Sequence, residues 1–417
     1  MKRFEWAGES ASLLLKNVAV VTGPDMEFVQ GGFIQIERGH ISGVGEGAGG
    51  SAKHVMDCEG LIAVPGFVDA HTHVGDSVAK DAGVGLPIAE VVSFPRGLKH
   101  GILRSTSDAE LVAAMRESLK DMIRSGVTTF ADFREGGISG ANLLLEAAQG
   151  LAIRAIILAR LAEAPFTDDE LAKNSATLSN QAIEEITEVL QIAHGISSSS
   201  ANDLTDPAMR QMSDLARRNG KLRAIHVAEA KESIEKSKRR TGMSDVERVV
   251  KYFEPDFVVH MTNASSEDID LVERNRIPVV SCPRANSVLG VGFPPLARMT
   301  RAGLRVALGT DNLMLNPPDM FREMDYVARM VRARERDPSA PRSADVLKMA
   351  TINGAKALGL GNEIGSIEVG KVADILLIDG RDLNLRHSKD PVSSLVLRAG
   401  VQNVRTVLAG GRLAYER

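Results

Sequence analysis

Cysteine is nearly missing from this sequence: Cys58 and Cys282 stand far apart and neither belongs to a C-x-x-C. Their scarcity excludes a disulfide scaffold, a zinc knuckle and a thioredoxin-like pair, and fits a reducing cytoplasm. Aromatic residues amount to only 4%. Charge of one sign is not in excess, with 50 basic against 54 acidic residues and a formal net charge of -4. The electrostatic footprint of a nucleic-acid binder is therefore lacking, and the expected partner is a small molecule. No apolar run reaches the roughly 18 residues that would span a bilayer. The opening "MKRFEWAGESASLLLKNVAVV" begins basic, but Glu5 and Glu9 interrupt it and no long apolar segment follows, which makes it a poor export signal. "GEGAGG", from Gly45 to Gly50, has the spacing of a dinucleotide fingerprint but leads towards a strand instead of opening a helix, so it reads as a turn. A Walker A loop, a G-x-S-x-G elbow and a P-C-x-x-C deaminase signature are all missing.

What is present is ordinary for a soluble globular chain: 417 residues, 44% hydrophobic and 25% charged. That length exceeds one usual core, although a barrel of roughly 250 residues can form a single domain. Residues 11–65 alternate short apolar runs with Gly-rich turns, as in "SLLLKNVAVVTG" and "GGFIQIERGHISGVGEG", and the same texture returns in "GKVADILLIDG" and "VRTVLAGGRL". The two chain ends are expected to pair in one small sheet. Between them, strand-like runs ("VTTFADF", "IRAIILAR", "LRAIHVAE", "DFVVHMTN", "IPVVSCPRAN", "LRVALGTDN") alternate with amphipathic stretches such as "DAELVAAMRESLKDMIRSG". Such alternation implies an α/β fold with a parallel sheet. Counting from "LIAVPGFVDAHTH" and including "GISSSSAND", the strands number eight, as in a (β/α)8 TIM-type barrel. Chemistry in that architecture sits at the C-terminal ends of the strands.

His71 and His73 close the first strand, and two-residue alternation puts both on one face. His226 ends a later strand with Glu229 three residues on; His260 ends another, and Asp311 closes "LRVALGTDN". Four of the nine histidines thus fall at strand ends. Imidazole and carboxylate together suit zinc or iron(II), and His71, His73, His226 and Asp311 are read as the ligands of one divalent metal per chain. Of the other histidines, His40, His54, His194 and His387 have solvent-facing or capping explanations, and His100 lies in a loop.

"PGFVDAHTH", "HVAE", "VVH", "GTDN" and "ATINGAKALGLGNEIGSIEVGKVADILLID" resemble the amidohydrolase superfamily, from about residue 12 to the end, and within it the branch of cytosine and guanine deaminases and triazine hydrolases. The resemblance implies a composite β-sandwich from residues 1–64 plus 361–417 around a metal-dependent barrel of residues 65–360. It maps the single metal onto the same four ligands, matches Glu229 to a proton shuttle and His260 to a residue that orients substrate and water. "GISSSSANDL" lacks the lysine or glutamate that bridges two metals in other branches. His260 as a ligand of a second metal, and Glu229 as a surface charge opening a helix, are the competing explanations.

The chemistry expected is hydrolytic deamination of an aminated N-heterocycle, such as a purine, pyrimidine, pterin or triazine. Glu229, His260 and Asp311 would be its catalytic groups: Asp311 holding the water, Glu229 moving protons and His260 stabilising developing charge. Cleavage of an amide, ureido or chloro–carbon bond and a non-catalytic barrel are the alternatives. Asp76, Arg96, His100, Asp132, Arg134 and Asn286 are the candidate substrate-binding residues. Arg96, Lys99 and Arg104 form a cationic set that would suit an anionic group on the substrate. Neither a nucleic acid nor a membrane is an expected partner, and association into a homo-oligomer is left open.

Overall fold

A computed structural model of the chain describes residues 12–417. The first eleven residues, where Glu5 and Glu9 fall, lie outside the described residues, and so does most of the charged part of the opening segment discussed above. Five short strands come first: β1 (Leu13–Thr22), β2 (Glu27–Glu37), β3 (His40–Glu46), β4 (His54–Asp57) and β5 (Leu61–Pro65). The run "LIAVPGFVDAHTH", expected as one barrel strand, divides at Gly66 between two sheets. Gly66 donates its N–H to the Asp374 carbonyl (2.8 Å) while Phe67 donates to Gly126 (3.0 Å). A Cβ at Gly66 would stand 2.3 Å from Thr128 Oγ1, so the crossing leaves no room for a side chain.

The second sheet contains β6 (Phe67–His73), β7 (Val127–Arg134), β8 (Arg154–Ala159), β9 (Gly195–Ser198), β10 (Leu222–Val227), β11 (Phe257–His260), β12 (Val279–Ser281), β13 (Val306–Leu308) and β14 (Asp311–Asn312). It is parallel, and chain neighbours pair in order from β6 to β13. β14 returns to β6, with Asp311 opposite Thr72 and Asn312 opposite His73. Only Gly309 and Thr310 separate β13 from β14, so the sheet curls until its last strand touches its first. Every residue of β6 and β7 is buried, as expected where helices cover a parallel sheet. One of these helices, Asp108–Arg124, starts at a capping box in which Ser107 and Glu110 bond each other's backbone N–H.

The C-terminal strands β15 (Ile375–Asp379), β16 (Val404–Ala409) and β17 (Arg412–Glu416) rejoin the N-terminal ones. β15 runs antiparallel to β5, giving the order β17-β16-β15-β5-β1-β2-β3 with β4 beside β1. The expected pairing of both chain ends in one sheet is present, around its own apolar cluster of fully buried Leu15, Val18, Ile34, Ile375 and Leu377. Residues 74–105 cover the C-terminal ends of β6, β7 and β14 with a 3-10 turn (Val74–Ala79) and helices Ile88–Val92 and Leu98–Ser105. Among the described residues no helix is long and apolar enough to cross a membrane.

Candidate metal centre

The curl of the parallel sheet brings three imidazoles and one carboxylate to a common point. His71 Nε2 lies 3.3 Å from His226 Nε2 and 3.4 Å from Asp311 Oδ1, and His73 Nε2 lies 3.6 Å from the same oxygen. Atoms about 2.1 Å from a tetrahedral ion stand about 3.4 Å apart, so the spacing is that of a ligand polygon. Two of the imidazoles are held with Nε2 inward. His226 Nδ1 donates to the Ser198 carbonyl (3.0 Å), and His73 Nδ1 donates to the Phe133 carbonyl (3.1 Å) with Glu135 Oε1 3.0 Å away. Fixing the outer nitrogen as donor leaves the inner lone pair for a cation. Asp311 Oδ2 is buried with no hydrogen-bond partner, a free acceptor of the kind that a cation or its water satisfies.

Asp311 reaches this position through local distortion. Its φ is +64°, a left-handed conformation that is uncommon for non-glycine residues and that Asp tolerates better than most. Asp69 braces the preceding residue, accepting the Thr310 N–H (2.9 Å) and hydroxyl (2.6 Å). Gly309 allows the strand to run against His71, because a Cβ there would stand 2.7 Å from His71 Cβ and 2.8 Å from its carbonyl oxygen.

The electrostatics suit a metal. Burial pushes His71 down to about 4, against the opposing pull of Asp311, and His73 down to about 3. Burial and the neighbouring imidazoles hold His226 well below its ordinary range. Burial works to raise Asp311, but the hydrogen bond of His71 and the charge that His71, His260 and His73 carry whenever protonated outweigh it, so the carboxyl stays below its ordinary range. Neutral imidazoles and an ionised carboxylate are the protonation states that bind cations. Ordinary imidazoles, half-protonated near pH 6.5, would lose affinity steeply below that value. Here zinc affinity measured by chelator competition is expected to stay flat between about pH 7.5 and pH 5.5; a steep fall beginning at pH 6.5 would contradict it.

His260 is held in the other tautomeric sense. Thr262 Oγ1 donates to Asn286 Oδ1 (2.9 Å), and the Asn286 amide nitrogen lies 3.1 Å from His260 Nδ1. With Nδ1 accepting from that amide, Nε2 carries the proton, and it faces Glu229 Oε1 at 3.6 Å. His260 can also be grouped with His71 and Asp311 as a trio of donor atoms, but a protonated Nε2 has no lone pair to give a second metal. Burial raises the Glu229 carboxyl against the opposing pull of His260, as suits a group that must carry a proton near neutrality.

The six candidate recognition residues do not gather in this cavity. Asp76 accepts the Met314 N–H (2.9 Å), Asp132 accepts the Val74 N–H (2.6 Å), and Arg134 Nη2 pairs with Glu135 Oε2 (2.8 Å). His100 is in the helix Leu98–Ser105 rather than a loop, and its Nε2 donates to the Val92 carbonyl (3.2 Å). Asn286 orients His260. Arg96 is 84% exposed beside Asp168. The cationic set is also dispersed: Arg104 donates to the Pro95 carbonyl, and Lys99 is buried among acceptors. The side chains that do line the cavity with the metal cluster are Val92, Lys99, Arg160, Ser199 and Asn312, around about 30 Å³ of free space. Arg160 was discoverable, since it directly follows the strand-like run "IRAIILA" and so occupies a strand end; Ser199 follows β9 in the same way.

Fold and site together define a metal-dependent hydrolytic enzyme of the α/β class, with its chemistry at the C-terminal ends of a curled parallel sheet. The profile of the Amidohydrolase family matches residues 62–414, and the chain belongs to that family. A protein of Methanothermobacter thermautotrophicus that carries only a provisional aminohydrolase name is 37% identical over 96% of this chain and 98% of its own length. A 5-methylthioadenosine/S-adenosylhomocysteine deaminase of Syntrophobacter fumaroxidans is 30% identical over 97% of this chain and 93% of its own. Among solved structures, an adenosine deaminase from Xanthomonas campestris with bound zinc superposes with a TM-score of 0.87 at 24% identity, covering 98% of this chain and 93% of that one. At that identity the superposition shows the shared fold.

Proposed function

We infer that the protein removes an exocyclic amino group from an N-heterocycle by hydrolysis, releasing ammonia, with His71, His73, His226 and Asp311 holding one zinc or iron(II) ion. The observation that carries this reading is the Glu229 carboxyl facing the donor Nε2 of His260 at 3.6 Å, beside the ligand cluster. A bound divalent ion supplies a water whose pKa is brought towards about 7. With such an ion bound, Asp311, ionised and with Oδ2 free, would accept a proton from the attacking water as the water oxygen bonds to the amine-bearing ring carbon. Glu229 gives its proton to the adjacent ring nitrogen, so the electron pair of the C=N bond settles there. The N–H of His260 stabilises the developing negative charge. The proton held by Asp311 then passes to the amine, the C–N bond breaks as the hydroxyl gives its remaining proton back to Glu229, and ammonia and the ring carbonyl result with both carboxyls in their starting states. Deaminase names among the relatives place adenine nucleosides first in order of trial.

The scaffold assigned to this chemistry is a (β/α)8 barrel of residues 65–360 with a small β-sandwich of residues 1–64 plus 361–417. The interrupted strand β13–β14, paired at one end with β12 and at the other with β6, supports the barrel. The experiment is ammonia release from a panel of adenine nucleosides, guanine, cytosine, pterins and aminotriazines, using zinc-loaded protein. Turnover of one ring class is expected. Release of chloride from a chlorotriazine, or cleavage of ureido and amide compounds without any deamination, would replace this reading with another hydrolysis.

A further inference from the structure

Lys99 is the one cation of the covering segment that reaches the metal cavity, and its surroundings are unusual for a group facing substrate. Its side chain is 3% exposed, and the ammonium stands 2.7 Å from Glu135 Oε1, 3.3 Å from Asp76 Oδ2 and 3.3 Å from Asn312 Oδ1. The contact to Asn312 is a hydrogen bond, and those to Glu135 and Asp76 are ion pairs that hold the ammonium between two carboxylates. Two of these partners lead onward to metal ligands. Asn312 turns its amide nitrogen to Asp311 Oδ1 at 3.0 Å, the oxygen that His71 and His73 face. Glu135 Oε1 stands 3.0 Å from His73 Nδ1.

We propose that Lys99 is a positioning residue: it sets the orientation of the Asn312 amide and the Glu135 carboxylate, and through them orients the ligands Asp311 and His73. The Asn312 arm is the more directional. With its oxygen on Lys99, the amide presents N–H to Asp311; released, it can rotate and oppose an oxygen to the carboxylate. The Glu135 arm has support from Arg134 (2.8 Å) and Arg160 (2.6 Å), so it survives loss of Lys99 in part. Since Lys99 belongs to the covering helix Leu98–Ser105, seating of the cover and ordering of the metal ligands become one event.

The inference rests on the ligand set proposed above, and its test separates the two. Lys99→Met keeps the length of the side chain and removes the donors. Its affinity for zinc, by chelator competition, is expected to fall about 10–100-fold, the usual effect of losing an outer partner of a ligand. The cobalt-loaded variant should show shifted visible absorption bands. Lys99→Arg, which keeps a cation with N–H donors at the same place, should restore a large part of both. Arg239→Gln, at an exposed position of the helix Lys231–Thr241 away from the site, should match wild type. Unchanged affinity and bands with a raised KM alone would make Lys99 a substrate-binding group and overturn the proposal. Lowered affinity without rescue would also overturn it, as loss of fold. His73→Ala or Asp311→Asn protein that still binds metal normally would instead remove the ligand set.

Discussion

Glu229→Gln is expected to lower kcat by about 10²–10⁴-fold, the range for loss of a general acid–base, while the protein keeps its metal. Glutamine matches the shape of the side chain and can still donate to a ring nitrogen, but it cannot give up a proton. Glu229 is not a member of the ligand polygon; its nearest cluster contact is His260 Nε2 at 3.6 Å, so zinc content should stay at about one equivalent. KM should change little, because a group that acts on protons in the transition state contributes mainly to kcat. The wild-type profile should carry a limb on its alkaline side from Glu229, whose proton burial retains above the ordinary carboxylate range; in the glutamine variant that limb should vanish. Measurement of kcat across pH beside metal analysis decides the matter. A variant within twofold of wild type would leave Glu229 as no more than the polar residue before a helix.

His226→Ala should cost more. It removes one of four ligands and leaves a gap facing His71, whose Nε2 it meets at 3.3 Å. Without the ion, the attacking water returns from a pKa near 7 towards 15.7, so turnover should fall by at least about 10³-fold. Elemental analysis should find well under one equivalent per chain, and added zinc should restore only part of the rate. The fold should persist, because His226, next to last in β10, bonds the backbone through its ring only at the Ser198 carbonyl, whereas the core of that strand is Ala224, Ile225 and Val227. Circular dichroism separates loss of metal from loss of structure. Full metal content with normal turnover would remove the site assignment, and a ratio of two metals per wild-type chain would overturn the mononuclear one.

The chemistry-bearing residues were readable because each follows a local rule. Alternation places His71 and His73 on one face of β6, and the others mark the ends of apolar runs long enough to be strands: His226, His260 and Asp311. Glu229 was found only by its offset from His226. The resemblance then gave roles to residues already singled out. The candidate recognition residues are less legible: Asp76, Arg96 and His100 belong to the covering segment, and Asp132 and Arg134 lie at the end of the run "VTTFADF". In the structure most of them bond backbone groups or each other, and Arg96 points to solvent beside Asp168.

The strand pattern and strand-end polar residues determined the class of fold, the pairing of the two chain ends and the residues proposed as ligands, because hydrophobic period and chain order are properties of a line of residues. Tertiary structure alone decided which way Asn286 turns, that Lys99 meets Glu135 and Asn312 across 36 and 213 positions of chain, and that β13 breaks at Gly309 to present Asp311. The physical reason is register: a polar side chain bonds whatever acceptor the neighbouring strand and the cover bring within about 3 Å, and no local pattern in "FPRGLKHG" records that Asn312 will be there.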